Sequence, residues 1–201
     1  PFTVYGYGLM IAIGIFAAYC LAEYRARKLG LDDERVFGLT IWAVVGGIVG
    51  GKVLYYLTII PQIAADPTLL YRDLMEGFVI YGALIGGFAG IVLYCRKWKM
   101  NVLSYLDLAL PSVALAQGFG RIGCLLAGCC YGRETDGAFC IVFENSAYAP
   151  NGVPLIPTQI ISSALDFLHF AFLILFVKKW KKGEGQVTGL YFALYSAGRF
   201  V

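Results

Sequence analysis

The chain has 201 residues, of which 59% are hydrophobic and only 14% charged, against about 45–50% apolar in soluble domains. With a mean hydropathy of +0.72, the composition excludes a soluble globule and describes an integral membrane protein. The length suits one domain, and a net charge of +3 offers no argument for a nucleic-acid partner.

Runs of about 18 or more apolar residues are long enough to cross the hydrocarbon core as helices. Six such spans are predicted, at roughly 4–23, 36–60, 78–95, 102–127, 158–177 and 187–201. The first lacks the basic n-region and small-residue cleavage site of a secretory signal peptide. It starts almost at residue 1, and nothing follows Val201, which reads as a chain clipped at both ends. Asp32, Asp33 and Glu34 stand before span 2, and Asn101 before span 4, where they can cap a helix. Residues 61–77 are too polar to span and read as a loop with a short interfacial helix. Residues 133–157 alternate well enough for a small strand pair, with turn signals at Asn151-Gly152 and Pro154. The fold class is therefore all-α, one transmembrane domain over 1–201 with about six transmembrane helices and a loop insert at 128–157.

Lysine and arginine orient this bundle. Arg25, Arg27, Lys28 and Arg35 follow span 1; Arg96, Lys97 and Lys99 follow span 3; Lys178, Lys179, Lys181 and Lys182 follow span 5. The two alternate loops hold only Arg72 and Arg133. The basic loops face the cytoplasm, so the amino terminus and residues 128–157 are extracytoplasmic, in a bacterial inner membrane.

Ionisable groups at membrane depth are costly and default to function. Lys52, Arg121 and Arg199 all fall in the outer halves of their spans and call for an anionic partner, best met by a phospholipid phosphate. For Lys52, internal pairing or snorkelling is an equal reading. Helical spacing places Gln117, Arg121, Cys124 and Gly128 on one face, a polar and small stripe fit for a cavity wall. His169, alone on an apolar helix, reads as a satisfied core histidine. Tyr5, Tyr7 and Tyr81 sit at outer helix ends, where tyrosine is ordinary belt chemistry or aims a hydroxyl inward. The glycines of spans 2 and 3, among them Gly46, Gly50, Gly82 and Gly86, first suit close helix packing. Gly82, near the outer end, also leaves room for a headgroup.

Six cysteines are present, and Cys124, Cys129, Cys130 and Cys140 gather near the outer face. Their spacing lacks the C-x2-C pairs of zinc sites, so no metal and no cofactor is expected. A disulfide among Cys129, Cys130 and Cys140, or a reactive thiolate at Cys129 or Cys130, stays open. A helix C-terminus disfavours the thiolate.

The run "GRIGCLLAGCCYGR" resembles the signature of the bacterial prolipoprotein diacylglyceryl transferases. "YGYGLMIAIG", "GGIVGGKVLYY", "VIYGALIGGFAG", "PTQ" and "GLYFALYSAGRF" are similar to further segments of that family, in order. The resemblance implies transfer of a diacylglyceryl group from phosphatidylglycerol to a lipobox cysteine on a prolipoprotein signal peptide, or to a smaller thiol, with release of glycerol 1-phosphate. It matches Arg121 and Arg199 to the family's arginines, Tyr7 to its first-helix tyrosine, Gly123 to its signature glycine and Gln159 to its Pro-Ser-Gln. Tyr81 stands where the family has histidine, and Cys124 and Cys129 where it has asparagine and glutamate. The catalytic candidates are thus Arg121, Arg199, Tyr81, Cys129 and Cys130. The substrate-binding candidates are Tyr7, Lys52, Gly82, Gln117, Gly123, Cys124, Gly128 and Gln159. The alternative is a membrane thiol-redox or metal-handling protein using Cys124, Cys129, Cys130 and Cys140.

Overall fold

A computed structural model describes residues 6–73 and 77–200, except for the side chains of 65, 199 and 200. The backbone is helical almost throughout: α1 (Gly6–Leu29), α2 (Glu34–Thr58), α3 (Ile60–Ala65), α4 (Leu69–Arg72), α5 (Ile80–Lys97), α6 (Val102–Ala127), α7 (Thr158–Lys179) and α8 (Gln186–Phe200). Five of them, α1, α2, α5, α6 and α7, are long and apolar enough to cross a membrane. The sixth expected span is α8, 15 residues long. Between α6 and α7 lie the expected strands, β1 (Ile141–Val142) and β2 (Pro154–Leu155), paired antiparallel. The expected short helix after span 2 is a pair, α3 and α4.

The chain forms two compact units, residues 26–105 and residues 1–25 with 106–201. In the first, α2 and α5 cross on their glycines. A Cβ built on Gly50 or Gly82 would collide with the other's carbonyl oxygen, and the same holds for Gly46 and Gly86. In lipid, where apolar burial drives little, such backbone approach is what holds two helices together. Gly82 is therefore a packing residue, buried at this crossing, and the headgroup space expected beside it is taken up by α2.

Helix starts in this unit follow two different devices. Asn101 Oδ1 accepts hydrogen bonds from the Leu103 and Ser104 amides at 3.0 and 3.3 Å, the expected cap of α6. Asp33 occupies the N-cap of α2 without a side-chain cap bond. Its carboxylate takes the Arg27 guanidinium instead, while Asp32 takes Arg35 at 3.2 Å.

The second unit is organised by α6. Pro111 lies inside that helix and has no amide hydrogen to give the Asp107 carbonyl four residues earlier. Arg25 fills the gap: Nη1 donates to Leu108 O at 2.6 Å and Nη2 to Asp107 O at 3.3 Å. Helix α1 runs on to Leu29, so Arg25 is a buried helix residue, 7% exposed, and not one of the loop cations that orient the chain. The Asp107 carboxylate, 1% exposed, takes the Gly185 amide, the Thr188 amide and the Thr188 hydroxyl at 2.8–2.9 Å, with Lys181 Nζ at 3.0 Å. One buried acid thereby satisfies the start of α8. Beneath it Leu110, Ala114, Leu173, Val187 and Tyr191 form the core that joins α6, α7 and α8.

Candidate active site

Arg121 lines a cavity of about 360 Å³ with Ser162, Asp166, His169 and Tyr195, closed by Leu165, Leu168, Phe172, Leu194 and Gly198. This is within the roughly 300–1,000 Å³ range of small-molecule sites. Among the described residues, the Arg121 guanidinium makes no hydrogen bond or ion pair. A half-buried cation in an apolar helix is costly and marks a candidate functional site. Asp166, on the same wall, has an interaction of its own.

Two of the lining side chains, His169 and Tyr195, pack against Tyr191. His169 stacks on Tyr191 at 5.1 Å between ring centroids, and Tyr191 on Tyr195 at 5.9 Å. The Tyr191 hydroxyl donates to Gln117 Oε1 at 2.9 Å. His169 Nε2 is buried and has no hydrogen-bond partner among the described residues, which a satisfied core histidine would not show. His169 joins the candidate site through the cavity it lines, which nothing in its apolar helix marks. Gln117 lies on the expected face but acts through Tyr191. The Arg199 backbone is in α8, and its side chain lies outside the described residues, as does Tyr5.

The cysteine run forms a second place in the same unit. Helix α6 ends in a Schellman turn: the Gly128 amide donates to Leu125 O at 3.1 Å and the Cys129 amide to Cys124 O at 3.0 Å, with Gly128 at φ +68°. Gly128 is thus set by the turn, and a Cβ there would strike Ser146. Cys130 follows at φ +57°, a left-handed conformation that costs a non-glycine residue about 1–2 kcal/mol. Two side chains at the start of α7 hold this bend. Gln159 Nε2 donates to Cys129 O at 2.9 Å, and the Thr158 hydroxyl to Cys130 O at 2.8 Å. Gln159 is therefore a positioning group for the cysteine loop.

The bend brings the Sγ atoms of Cys124, Cys129 and Cys130 within 4.8 Å of one another. All six cysteines are free thiols here, and Cys140 stands outside the cluster. Burial pushes the Cys129 thiol above the ordinary cysteine range, partly opposed by its hydrogen bond with Cys124. A thiol kept neutral is a poor nucleophile, so this environment argues against the covalent role expected of Cys129. Tyr7 and Cys129 face a cavity of about 870 Å³ with Leu126, Phe143 and residues 145–148.

The remaining candidates are placed elsewhere. Gly123 packs against Tyr7 and Met10, its built Cβ 3.2–3.3 Å from them, so it serves the contact of α1 with α6 and not a lipid. In the other unit, Lys52 Nζ donates to the backbone carbonyls of Asp73 and Gly77 and lies over the Tyr55 and Tyr56 rings at 5.2 and 5.4 Å. That is the internal-pairing reading. Tyr81, at the start of α5, is 71% exposed.

Five helices long and apolar enough to cross a membrane, with a cavity lined by Arg121, make this a multi-pass membrane protein. The chain belongs to the prolipoprotein diacylglyceryl transferase family, whose model matches residues 1–201. It is 50% identical to the phosphatidylglycerol–prolipoprotein diacylglyceryl transferase of Clostridium tetani, over 98% of this chain and 79% of the relative. It is 49% identical to the second such transferase of Clostridium perfringens (98% and 77%). To that of Dehalococcoides mccartyi strain 195 it is 34% identical (96% and 74%).

Proposed function

We propose that this protein transfers the diacylglyceryl group of phosphatidylglycerol to the cysteine thiol of a prolipoprotein signal peptide. The relatives' names supply the reaction, and the observation that carries the site is the guanidinium of Arg121 on a cavity wall without an acid partner among the described residues. In the reaction, the acceptor sulfur forms a bond to the glyceryl carbon while the carbon–oxygen bond to phosphate breaks. The thiol proton must leave, and the electron pair ends on the phosphate oxygen of released glycerol phosphate.

Arg121 meets that growing charge, an electrostatic role worth about 10²–10³ in rate for a single donor. Arg199 is the second phosphate ligand and Tyr7 orients the headgroup. His169, in the Arg121 cavity with Nε2 unpartnered, is the proton acceptor in place of the histidine that Tyr81 replaces. The distribution of lysine and arginine supports a bacterial inner membrane with the amino terminus and 128–157 outside, the whole chain acting as one transmembrane domain.

The test uses purified protein in phosphatidylglycerol vesicles with a lipobox peptide, following glycerol phosphate release and the peptide's mass. Arg121→Ala is expected to lower kcat/KM about 10²–10³-fold, with Arg121→Lys in between because lysine cannot fork two phosphate oxygens. An alanine variant that turns over at the parent rate would remove Arg121 from the reaction.

A further inference from the structure

We propose that Cys124, Cys129 and Cys130 form a binding site for one thiophilic d10 cation, Zn²⁺ or Cu⁺. This goes beyond the transfer reaction and does not depend on it. The three Sγ atoms lie within 4.8 Å of one another. Zinc with Zn–S bonds of about 2.3 Å sets neighbouring sulfurs about 3.8 Å apart, so capture closes the cluster by about 1 Å at its widest, a rotamer adjustment and not a backbone one. Among the described residues no carboxylate or imidazole joins the group, which selects against the hard, oxygen-seeking cations and for thiolate-loving ones.

The frame around the sulfurs is built before any ion arrives. The Schellman turn fixes Cys129 against Cys124, and the left-handed Cys130 folds its side chain toward them at a local cost. Gln159 and Thr158 pin the two intervening carbonyls. A loop held this firmly in a disfavoured conformation has a reason to keep its thiols together.

A second observation concerns the side chain that holds the Cys129 carbonyl. Gln159 is 1% exposed, and while its Nε2 holds the Cys129 carbonyl, its Oε1 is buried without a hydrogen-bond partner among the described residues. Buried acceptors are rarely left so. A water completing the coordination of Zn²⁺ would carry the missing donor. Access is open through Cys130, which is exposed, and through the cavity beside Cys129. Binding involves no electron transfer: metal–sulfur bonds form as up to three thiol protons pass to solvent. Tyr7 lines the cavity beside Cys129.

The experiment uses the full chain, purified in detergent without oxidant. Zn²⁺ and Cu⁺ are titrated separately against chelators of known affinity, and X-ray absorption of the loaded wild type counts sulfur ligands. We expect one equivalent of the preferred ion with three sulfurs in its shell. Cys124→Ser, Cys129→Ser and Cys130→Ser are each expected to weaken binding more than about 100-fold, beyond what outer-shell changes cost, and Cys140→Ser to leave it unchanged. A shell with one sulfur or none, binding undiminished in the triple serine variant, or a disulfide within the cluster would each overturn the proposal. The sulfur count keeps the test decisive if a serine variant fails to fold. Glycerol phosphate release, measured in parallel, separates loss of this site from loss of transfer.

Discussion

Arg121 and His169 share a cavity, and substitutions can tell their proposed roles apart. In the proposed reaction, removing the guanidinium withdraws charge from the leaving phosphate, whereas removing the imidazole withdraws the proton acceptor. His169→Gln is expected to lower kcat about 10²–10⁴-fold with little change in lipid affinity, and to abolish the rise of rate with pH that deprotonation of an imidazole gives. A pH–rate profile identical to that of the wild type would return His169 to the role of a packed core residue. The cysteine bend offers a second residue-level measurement. Because Cys130 sits at φ +57°, Cys130→Gly removes a conformational strain of about 1–2 kcal/mol, partly offset by glycine's added freedom when unfolded. Its thermal unfolding midpoint should equal or exceed the parent's, while Cys130→Val should lower it.

At the scale of elements, glycines with the same sequence context divide by what surrounds them. Gly86 lies against the backbone of α2, and a Cβ there strikes the Gly46 carbonyl, whereas one on Gly120 meets nothing within 4 Å. Gly86→Leu should therefore push α2 and α5 apart at a cost of about 1–3 kcal/mol. Gly120→Ala should be neutral or stabilising by up to about 1 kcal/mol through helix propensity. Denaturation in mixed micelles checks both, and equal losses would remove the crossing from the account. The Pro111 break gives the matching test for a buried charge. Arg25→Met keeps most of the packed stem but leaves the Asp107 and Leu108 carbonyls without their donor. It should destabilise the protein by about 1–3 kcal/mol, read by the same assay.

For the molecule as a whole, periodicity and length were sufficient for the helices, since a run that must satisfy its backbone in lipid has no alternative to helix. The five long spans, the small strand pair and the Asn101 cap were legible for that reason. What was not legible depended on contacts across the chain. Arg25 looked like a loop cation until α6 placed a proline-freed carbonyl beside it. The His169–Tyr191 stack needs α8, which the apolar run around His169 does not announce. The closeness of Cys124, Cys129 and Cys130 depends on a helix-ending turn with left-handed residues at 128 and 130, which a spacing test for C-x2-C pairs does not see. Arg121 stood out as a candidate because a charge inside an apolar run is costly.

The Asp107 carboxylate also has a history in time. Its first backbone donor on α8's side, Gly185, lies 78 residues later in the chain, and at about 5–20 residues per second the ribosome takes roughly 4–16 s to reach it. During that interval α6 carries an acid whose donors have not yet been made, and a helix in that state is poorly suited to enter lipid. Release of α6 from the insertion machinery is therefore expected to wait for α8. Chains truncated before Gly185 are expected to display a degradation signal that the finished protein conceals, shortening their lifetime in the cell.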